Sequence, residues 1–430
     1  MSNAVITPSR FSGQVTIPPS KSAAHRAILC AALAHGVSKI KNIALSDDIQ
    51  ATIGAVKAMG SKVLFSDGVL TVDTTENLIF PLGEATVPQS QTAEINCRES
   101  GSTLRFLIPV LGAIGLPASF QGSGRLPERP IGSYLECLPE HGLSMETRGG
   151  LPLSLQGRLE PGKYLLPGNI SSQFITGLLF ALPLLDGGSE ILLTSPLESR
   201  GYVDMTIAIL REFGVEIASA DNGWHIPGGQ SYQPREYTVE GDWSQAAFFL
   251  AAGAVNGKVS VGGLQKDSRQ GDKAAAELFS RFGAHIHWEG DLLVAEPGDL
   301  NGITIDASQI PDLVPILAAV GSLAKGHTSI LNASRLRLKE SDRLCAMADG
   351  LNRMGAQVWE TPGGLEIDGT DCLKPCTAYG FHDHRIVMAL SVLAARAEGK
   401  VTVTDAESVQ KSYPNFFEDY ARIGGIADVV

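Results

Sequence analysis

One pattern of apolar and polar positions recurs along the whole chain. A stretch with helical spacing of apolar residues closes on a bulky residue and a glycine, and a strictly alternating stretch follows at once. The six copies end at Met59-Gly60, His141-Gly142, Phe213-Gly214, Phe282-Gly283, Met354-Gly355 and Ile423-Gly424. The glycines lie 82, 72, 69, 72 and 69 residues apart, and a fixed period of this length marks a repeated structural unit. Each copy reads as a helix stopped by a left-handed glycine and continued as a half-buried strand. A second helix precedes it in most periods, in Ala23 to Ala34, Ser172 to Leu182, Ser244 to Val255, Val314 to Ala324 and Ile386 to Ala397. These segments are rich in Ala and Leu and nearly free of charge, which predicts burial on most faces.

A unit of fewer than one hundred residues is too small to stand comfortably alone. With 430 residues, 44% of them hydrophobic, the chain also exceeds the roughly 250–300 residues that one core serves. The expected fold is therefore α/β, with two domains of three repeated β/α units each. The polar, Pro- and Gly-rich stretch from Asp221 to Pro234 marks a boundary. It predicts a discontinuous first domain of residues 1–20 plus 241–430 and a second domain of residues 21–240.

No apolar stretch reaches the roughly 18 residues of a membrane span, and the N-terminus has neither a signal-peptide nor a transit-peptide pattern. A cytoplasmic protein is expected, and a monomer. Six cysteines scattered without paired spacing are expected as buried, reduced thiols. Zinc is not expected, since Cys372 and Cys376 have no second pair at ligand spacing.

The formal net charge is −12, which argues against a general nucleic-acid binder, because such proteins neutralise phosphates with a surplus of Lys and Arg. Any anion has to be met by a local cluster. Three predicted helix starts offer one: Pro19-Ser20-Lys21-Ser22-Ala23-Ala24-His25-Arg26, Glu99-Ser100-Gly101-Ser102-Thr103-Leu104-Arg105 and Gly168-Asn169-Ile170-Ser171-Ser172-Gln173. Free N–H groups, small residues and the positive end of the helix dipole suit an anion. Capping alone accounts for any one of these starts; three, with cations in register, favour anion binding. A P-loop is absent, because Lys21 follows Ser20 rather than Gly, and no dinucleotide fingerprint follows a strand. Further charge is concentrated in Arg335 to Arg343, in His382-Asp383-His384-Arg385 and at Lys411. Read locally, the first is a solvated junction in which Lys339 and Arg343 flank Asp342. The second is a turn in which His382 and His384 cap the following helix. A metal at these histidines lacks further His or Cys ligands nearby.

Taken in order, the motifs Ser20-Lys21-Ser22-x-x-x-Arg26, Gly101-x-x-x-Arg105, Glu128-Arg129-Pro130-Ile131, Ser171-Ser172-Gln173-Phe174, Gly241-Asp242-x-Ser244, Gln270-Gly271-Asp272, Pro311-Asp312, Lys339-Glu340-Ser341-Asp342-Arg343, Asp383-His384-Arg385 and Lys411-x-x-Pro414 resemble those of the EPSP synthases over essentially the whole chain. The resemblance implies a two-domain fold of six repeated units with the active site in the interdomain cleft. It also implies transfer of the enolpyruvyl group of phosphoenolpyruvate to the 5-hydroxyl of shikimate 3-phosphate, with phosphate released through a tetrahedral intermediate. The pathway implied is that of chorismate and the aromatic amino acids. Closure of the two domains over the substrates would exclude water.

Carried over by motif, Lys21, Ser22, Arg26, Ser171, Ser172, Gln173, Ser199, Asp312, Arg335 and Lys339 resemble the shikimate-phosphate ligands. Lys21, Gly101, Arg129, Gln173, Arg343, Arg385 and Lys411 resemble the phosphoenolpyruvate ligands. Asp312 is the expected base, and Lys21 or Glu340 the expected acid. No metal or cofactor is implied, and glyphosate is implied as an inhibitor that mimics phosphoenolpyruvate beside Gly101. The family often has Asn-Ala-Gly-Thr-Ala and then Arg-Pro where this chain has Glu99 to Phe106, which bears on inhibitor sensitivity. Two alternatives remain. A UDP-N-acetylglucosamine enolpyruvyl transferase would carry a loop cysteine, and Ser123 to Glu128 holds none. A non-catalytic anion-binding protein would not require Asp312, Glu340 and Lys21 together.

Overall fold

The computed structural model describes residues 2–76 and 92–430. Its backbone forms two compact units, Met1–Pro18 with Glu240–Val430, and Pro19–Val239. Among the described residues each unit holds three four-stranded sheets, and all six share one pairing pattern, a parallel pair followed by two antiparallel ones. In one of them Ala93–Asn96 pairs parallel with Ala118–Gln121, which pairs antiparallel with Leu153–Gly157, which pairs antiparallel with Leu143–Thr147. The parallel step needs a crossover, and an inner helix supplies it, here Gly101–Ile114.

Two sheets of the first unit are completed by strands from the start of the chain. Phe11–Thr16 pairs parallel with Gly257–Gly262, and Ala4–Thr7 lies antiparallel between Val401–Val403 and Ile426–Val429. These pairings make that unit discontinuous. The polar stretch 221–234 contains a sheet strand, Gly223–Ile226, and the chain passes between units at Val239 and Glu240.

The six repeat glycines all have positive φ: 92° at Gly60, 88° at Gly142, 82° at Gly214, 113° at Gly283, 92° at Gly355 and 88° at Gly424. Only glycine enters this region without a Cβ penalty, which is why the helix-to-strand reversal carries it each time. In the second repeat the helix shrinks to Gly132–Cys137 and a 3-10 turn, Leu138–His141. Pro139 falls in that turn, where its missing N–H would interrupt an α-helix.

The inner helices are Lys21–Leu33, Gly101–Ile114, Ser172–Ala181, Trp243–Asn256, Val314–Gly321 and His384–Ala394. Every residue of the last two is buried. Helices so enclosed need partners for their first N–H groups. Side chains of Ser20, Ser100, Ser171, Asp242 and Asp383 cap five of them. In the remaining one Pro315 stands in the first turn and removes one of the donors.

Gly101–Ile114 packs on Ser172–Ala181 at close range. Pro109 cannot donate to the carbonyl of Arg105 four residues earlier. The Tyr134 hydroxyl takes that place, 3.0 Å from the Arg105 carbonyl and 2.7 Å from that of Phe174. A methyl on Gly177 would collide with both the Arg105 carbonyl and the Tyr134 hydroxyl. One buried tyrosine therefore ties two helix starts together. Tyr134→Phe is expected to lower the unfolding free energy by about 1–3 kcal/mol, the cost of leaving a buried carbonyl unsatisfied. Urea denaturation measures it, and a variant as stable as the parent would contradict this account.

Candidate active site

In the first unit the sequence-predicted residues gather at helix starts around Asp312. Asp312 lies in the 3-10 turn Pro311–Leu313 that leads into the Val314 helix. Its carboxylate accepts from Arg343 Nη1 at 3.0 Å and Arg385 Nη2 at 3.0 Å, and Lys339 Nζ stands 3.9 Å away. Arg343 begins the helix Arg343–Arg353 and reaches two more carboxylates: Nε donates to Asp383 Oδ2 at 2.8 Å and Nη2 to Glu340 Oε2 at 2.8 Å. Asp383 also accepts from the Arg385 backbone N–H at 2.9 Å and the Ser341 hydroxyl at 3.1 Å. Asp383 is thus the cap of the His384 helix, a role the local reading gave to the flanking histidines. Arg385 donates further to the Ser244 hydroxyl at 3.0 Å, and Ser244 donates to Asp242 at 2.6 Å.

The electrostatics follow from this crowding. Burial by itself would raise the Asp312 carboxyl, but Arg385, Lys339 and Arg343 outweigh it and hold the group well below the usual carboxylate range. Lys339 is pushed down to about 8, chiefly by burial, with Asp312 pulling the other way. Burial also disfavours charge on Arg343, and Asp383, Glu340 and Asp312 more than restore it. Asp342 is not the partner of Lys339 and Arg343: it caps its helix and pairs with Arg337 at 2.9 Å. Arg335 donates to the Ser308 carbonyl. Lys411 is buried at the end of the 3-10 helix Ala406–Lys411, beside Ser412, whose hydroxyl accepts from Gln245 at 3.2 Å.

The second unit presents a matching set of helix starts. Lys21 opens its helix and pairs with Asp48 at 2.8 Å. Two guanidiniums lie over the Cα of Gly101, since a methyl there would stand 2.9 Å from Arg105 Nη1 and 3.0 Å from Arg129 Nη2. Arg105 Nη1 donates to Gln173 Oε1 at 2.7 Å, and Gln173 Nε2 donates to the Ser102 hydroxyl at 2.9 Å. Gly101, Arg105, Arg129, Gln173 and Ser102 therefore form one group. Arg26 is buried and bound to Thr206 Oγ1 at 2.8 Å, the Ser22 carbonyl at 2.7 Å and the Tyr202 carbonyl at 3.1 Å. These three bonds use three of its five N–H groups. Ser171 caps the Ser172 helix, and Ser199 precedes the helix Arg200–Glu212 with φ of 55°.

Sequence reasoning passed over Asp48, Ser102 and the capping role of Asp383. Asp48 sits 27 residues from Lys21, and no local spacing signals a pair at that distance. Cys30, Cys97 and Cys137 are buried, and burial pushes Cys97 up to about 12 and Cys137 up to about 11, so both stay thiols. Cys345 is exposed and Cys372 and Cys376 are half-buried, against expectation. Among the described residues the one grouping with metal-ligand spacing is His382, Asp405 and Glu407, with ligand atoms within 4.8 Å of one another. Its carboxylates are already engaged, Asp405 by His382 Nδ1 at 3.0 Å and Glu407 by the Ser2 N–H and hydroxyl at 2.8 Å each. No helix among the described residues is long and apolar enough to cross a membrane.

Comparison with known proteins places the chain in a family. The profile of EPSP synthase (3-phosphoshikimate 1-carboxyvinyltransferase) matches residues 5–420. A 3-phosphoshikimate 1-carboxyvinyltransferase of Clostridium novyi is 43% identical over 430 residues, covering 100% of this chain and 99% of its own. One from Clostridioides difficile is 42% identical over 434 residues, with the same coverage of each chain. Among solved structures, an EPSP synthase from Acinetobacter baumannii superimposes with a TM-score of 0.81 at 26% identity, covering 100% of both chains. The chain belongs to the EPSP synthase family, the 3-phosphoshikimate 1-carboxyvinyltransferases.

Proposed function

We propose that the protein transfers the enolpyruvyl group of phosphoenolpyruvate to the 5-hydroxyl of shikimate 3-phosphate, and that Asp312 is the base of the addition step. The observation that carries the assignment of the base is the carboxylate of Asp312 held between Arg343 and Arg385 at 3.0 Å each, with Lys339 beside it. Asp312 takes the 5-hydroxyl proton as the oxygen attacks C2 of phosphoenolpyruvate, and Lys21 or Glu340 delivers a proton to C3. The tetrahedral adduct then loses a proton from C3 and expels phosphate, which restores the double bond. Both substrates bring a phosphate and a carboxylate. Lys21, Arg129, Arg343, Arg385 and Lys411 receive phosphoenolpyruvate, and Ser22, Arg26, Ser171, Ser172, Ser199, Arg335 and Lys339 receive the ester. Gln173 and Lys21 serve both.

The low basicity of Asp312 in the free protein has a physical consequence. Its cations are the ones assigned to the incoming anions, so a bound phosphate or carboxylate draws Arg343 and Arg385 away from full pairing with Asp312. Less compensated, the carboxylate becomes a stronger base when the substrates are present. Fixed cations then stabilise the charge that develops as the adduct forms and phosphate departs.

Three outcomes are expected. Phosphate release from phosphoenolpyruvate requires shikimate 3-phosphate and does not occur with UDP-N-acetylglucosamine; Asp312→Ala lowers it by about 10²–10⁴-fold while calorimetry still detects the ester binding. Release with the UDP-sugar alone, or none with either acceptor, would reject the reading. The kcat/KM for the ester falls above about pH 8, because Lys339 loses its charge as the pH rises through about 8 in the free protein. Lys339→Arg, charged throughout, carries that fall to higher pH; a profile that does not move would remove Lys339 from ester binding. Gly101→Ala places a methyl against the Arg105 and Arg129 guanidiniums. It is expected to weaken glyphosate by roughly tenfold, about 1.4 kcal/mol, and phosphoenolpyruvate by less, as read from inhibition constants and KM. Equal losses would refute the placement of glyphosate beside Gly101.

A further inference from the structure

The second unit contains a buried chain of polar side chains that the mechanism above does not use. His25 Nδ1 lies 2.7 Å from Thr52 Oγ1, Thr52 Oγ1 lies 2.7 Å from Thr103 Oγ1, and the Thr103 hydroxyl donates to Ser100 Oγ at 2.8 Å. Ser100 Oγ also accepts from the Thr103 backbone N–H at 3.2 Å, which makes it the cap of the Gly101 helix. All four side chains are buried.

The direction of each bond follows from counting protons. Thr103 gives its single hydroxyl proton to Ser100, so it accepts from Thr52. Thr52 has then used its own proton, so it accepts from His25. His25 therefore carries a proton on Nδ1. Its Nε2 is buried without a hydrogen-bond partner among the described residues, as suits a bare lone pair better than an N–H, so the ring is neutral. Burial, the largest cause, pushes the imidazole down to about 3, so this form persists across the working pH range.

The spacing gives the chain its purpose. Lys21 and His25 are four apart on one helix, and Asp48 and Thr52 are four apart on the helix Asp47–Ala58. Residues so spaced share a helix face. The Lys21–Asp48 ion pair and the His25–Thr52 hydrogen bond are two rungs between the same two helices. Thr52 then extends a third rung to the Gly101 helix. We infer that His25, Thr52 and Thr103 are positioning residues that lock the start of the Gly101 helix in register with Lys21, and so hold together the two elements that receive phosphoenolpyruvate. Without the Thr52 hydroxyl, Lys21, which serves both substrates, keeps its Asp48 partner, whereas the Gly101 helix, assigned to phosphoenolpyruvate alone, loses its tie to Thr52, so the lock acts on that substrate more than on the ester. The inference rests on the substrate assignments of the proposed function.

Thr52→Val keeps the shape and removes both bonds, and Thr52→Ser restores the hydroxyl. Thr52→Val is expected to raise KM for phosphoenolpyruvate by about tenfold, since small displacements of a binding group carry losses of this order. The KM for shikimate 3-phosphate and kcat should change less than twofold, and Thr52→Ser should return to within twofold of the parent. Equal changes in both KM values, or no change in either, would overturn the inference. An activity-independent arm separates this from failure of the functional reading. The ¹⁵N shifts of His25 should report a neutral Nδ1–H imidazole in the parent and a changed Nδ1 environment in Thr52→Val. A parent enzyme that releases no phosphate would reject the function; an imidazole with its proton on Nε2 would reject the lock.

Discussion

A carboxylate without exposed surface, Asp383, organises the first unit. It caps the His384 helix, accepts from Ser341, and holds Arg343, itself only 2% exposed in its side chain. Charges so deeply buried persist only as pairs with every hydrogen bond made, and removing one member of such a pair costs about 3–5 kcal/mol. Part of what gives Asp312 its character depends on this anchorage, alongside Arg385 and Lys339. Arg343 reaches Asp312 and Glu340 in fixed geometry because its third donor is held by Asp383.

The second unit solves the same problem with fewer charges. Gly101 begins an inner helix beneath two guanidiniums, and its cap, Ser100, is tied through Thr103 to the neighbouring helix. Pro109 breaks the hydrogen-bond ladder of that helix at Arg105, and Tyr134 repairs it from outside. In both units side chains rather than backbone cap the starts of inner helices, five of the six described. Those capped ends are also where the proposed function seats its anions, which would join stability to function in the same few residues.

Much of this was legible in the sequence. The six glycines announced the left-handed turns, because no other residue enters that conformation as readily. The uncharged Ala- and Leu-rich segments announced the inner helices, since nothing in them could face water at length. The motifs carried Lys21, Gly101, Asp312, Arg343 and Arg385 to helix starts. Local reading failed where a polar residue had to choose among several partners at similar cost. Lys339 and Arg343 bypass the adjacent Asp342 for Asp312, and Asp383 takes the cap that His382 and His384 were expected to supply. The polar stretch 221–234 looked like a linker and yields a sheet strand instead, because Trp224 and Ile226 are apolar enough to be buried in it.

The sequence by itself determined the repeat, the helix-to-strand reversals and the kinds of group available for an anionic reaction, because each of these is written within a few residues of chain. The tertiary structure alone decided which charges meet. Lys21 with Asp48, Thr52 with Thr103 and Arg385 with Asp312 lie 27, 51 and 73 residues apart. Ion pairs and hydrogen bonds act over a few ångströms, and only the packing of one helix start beside another brings such groups within that range.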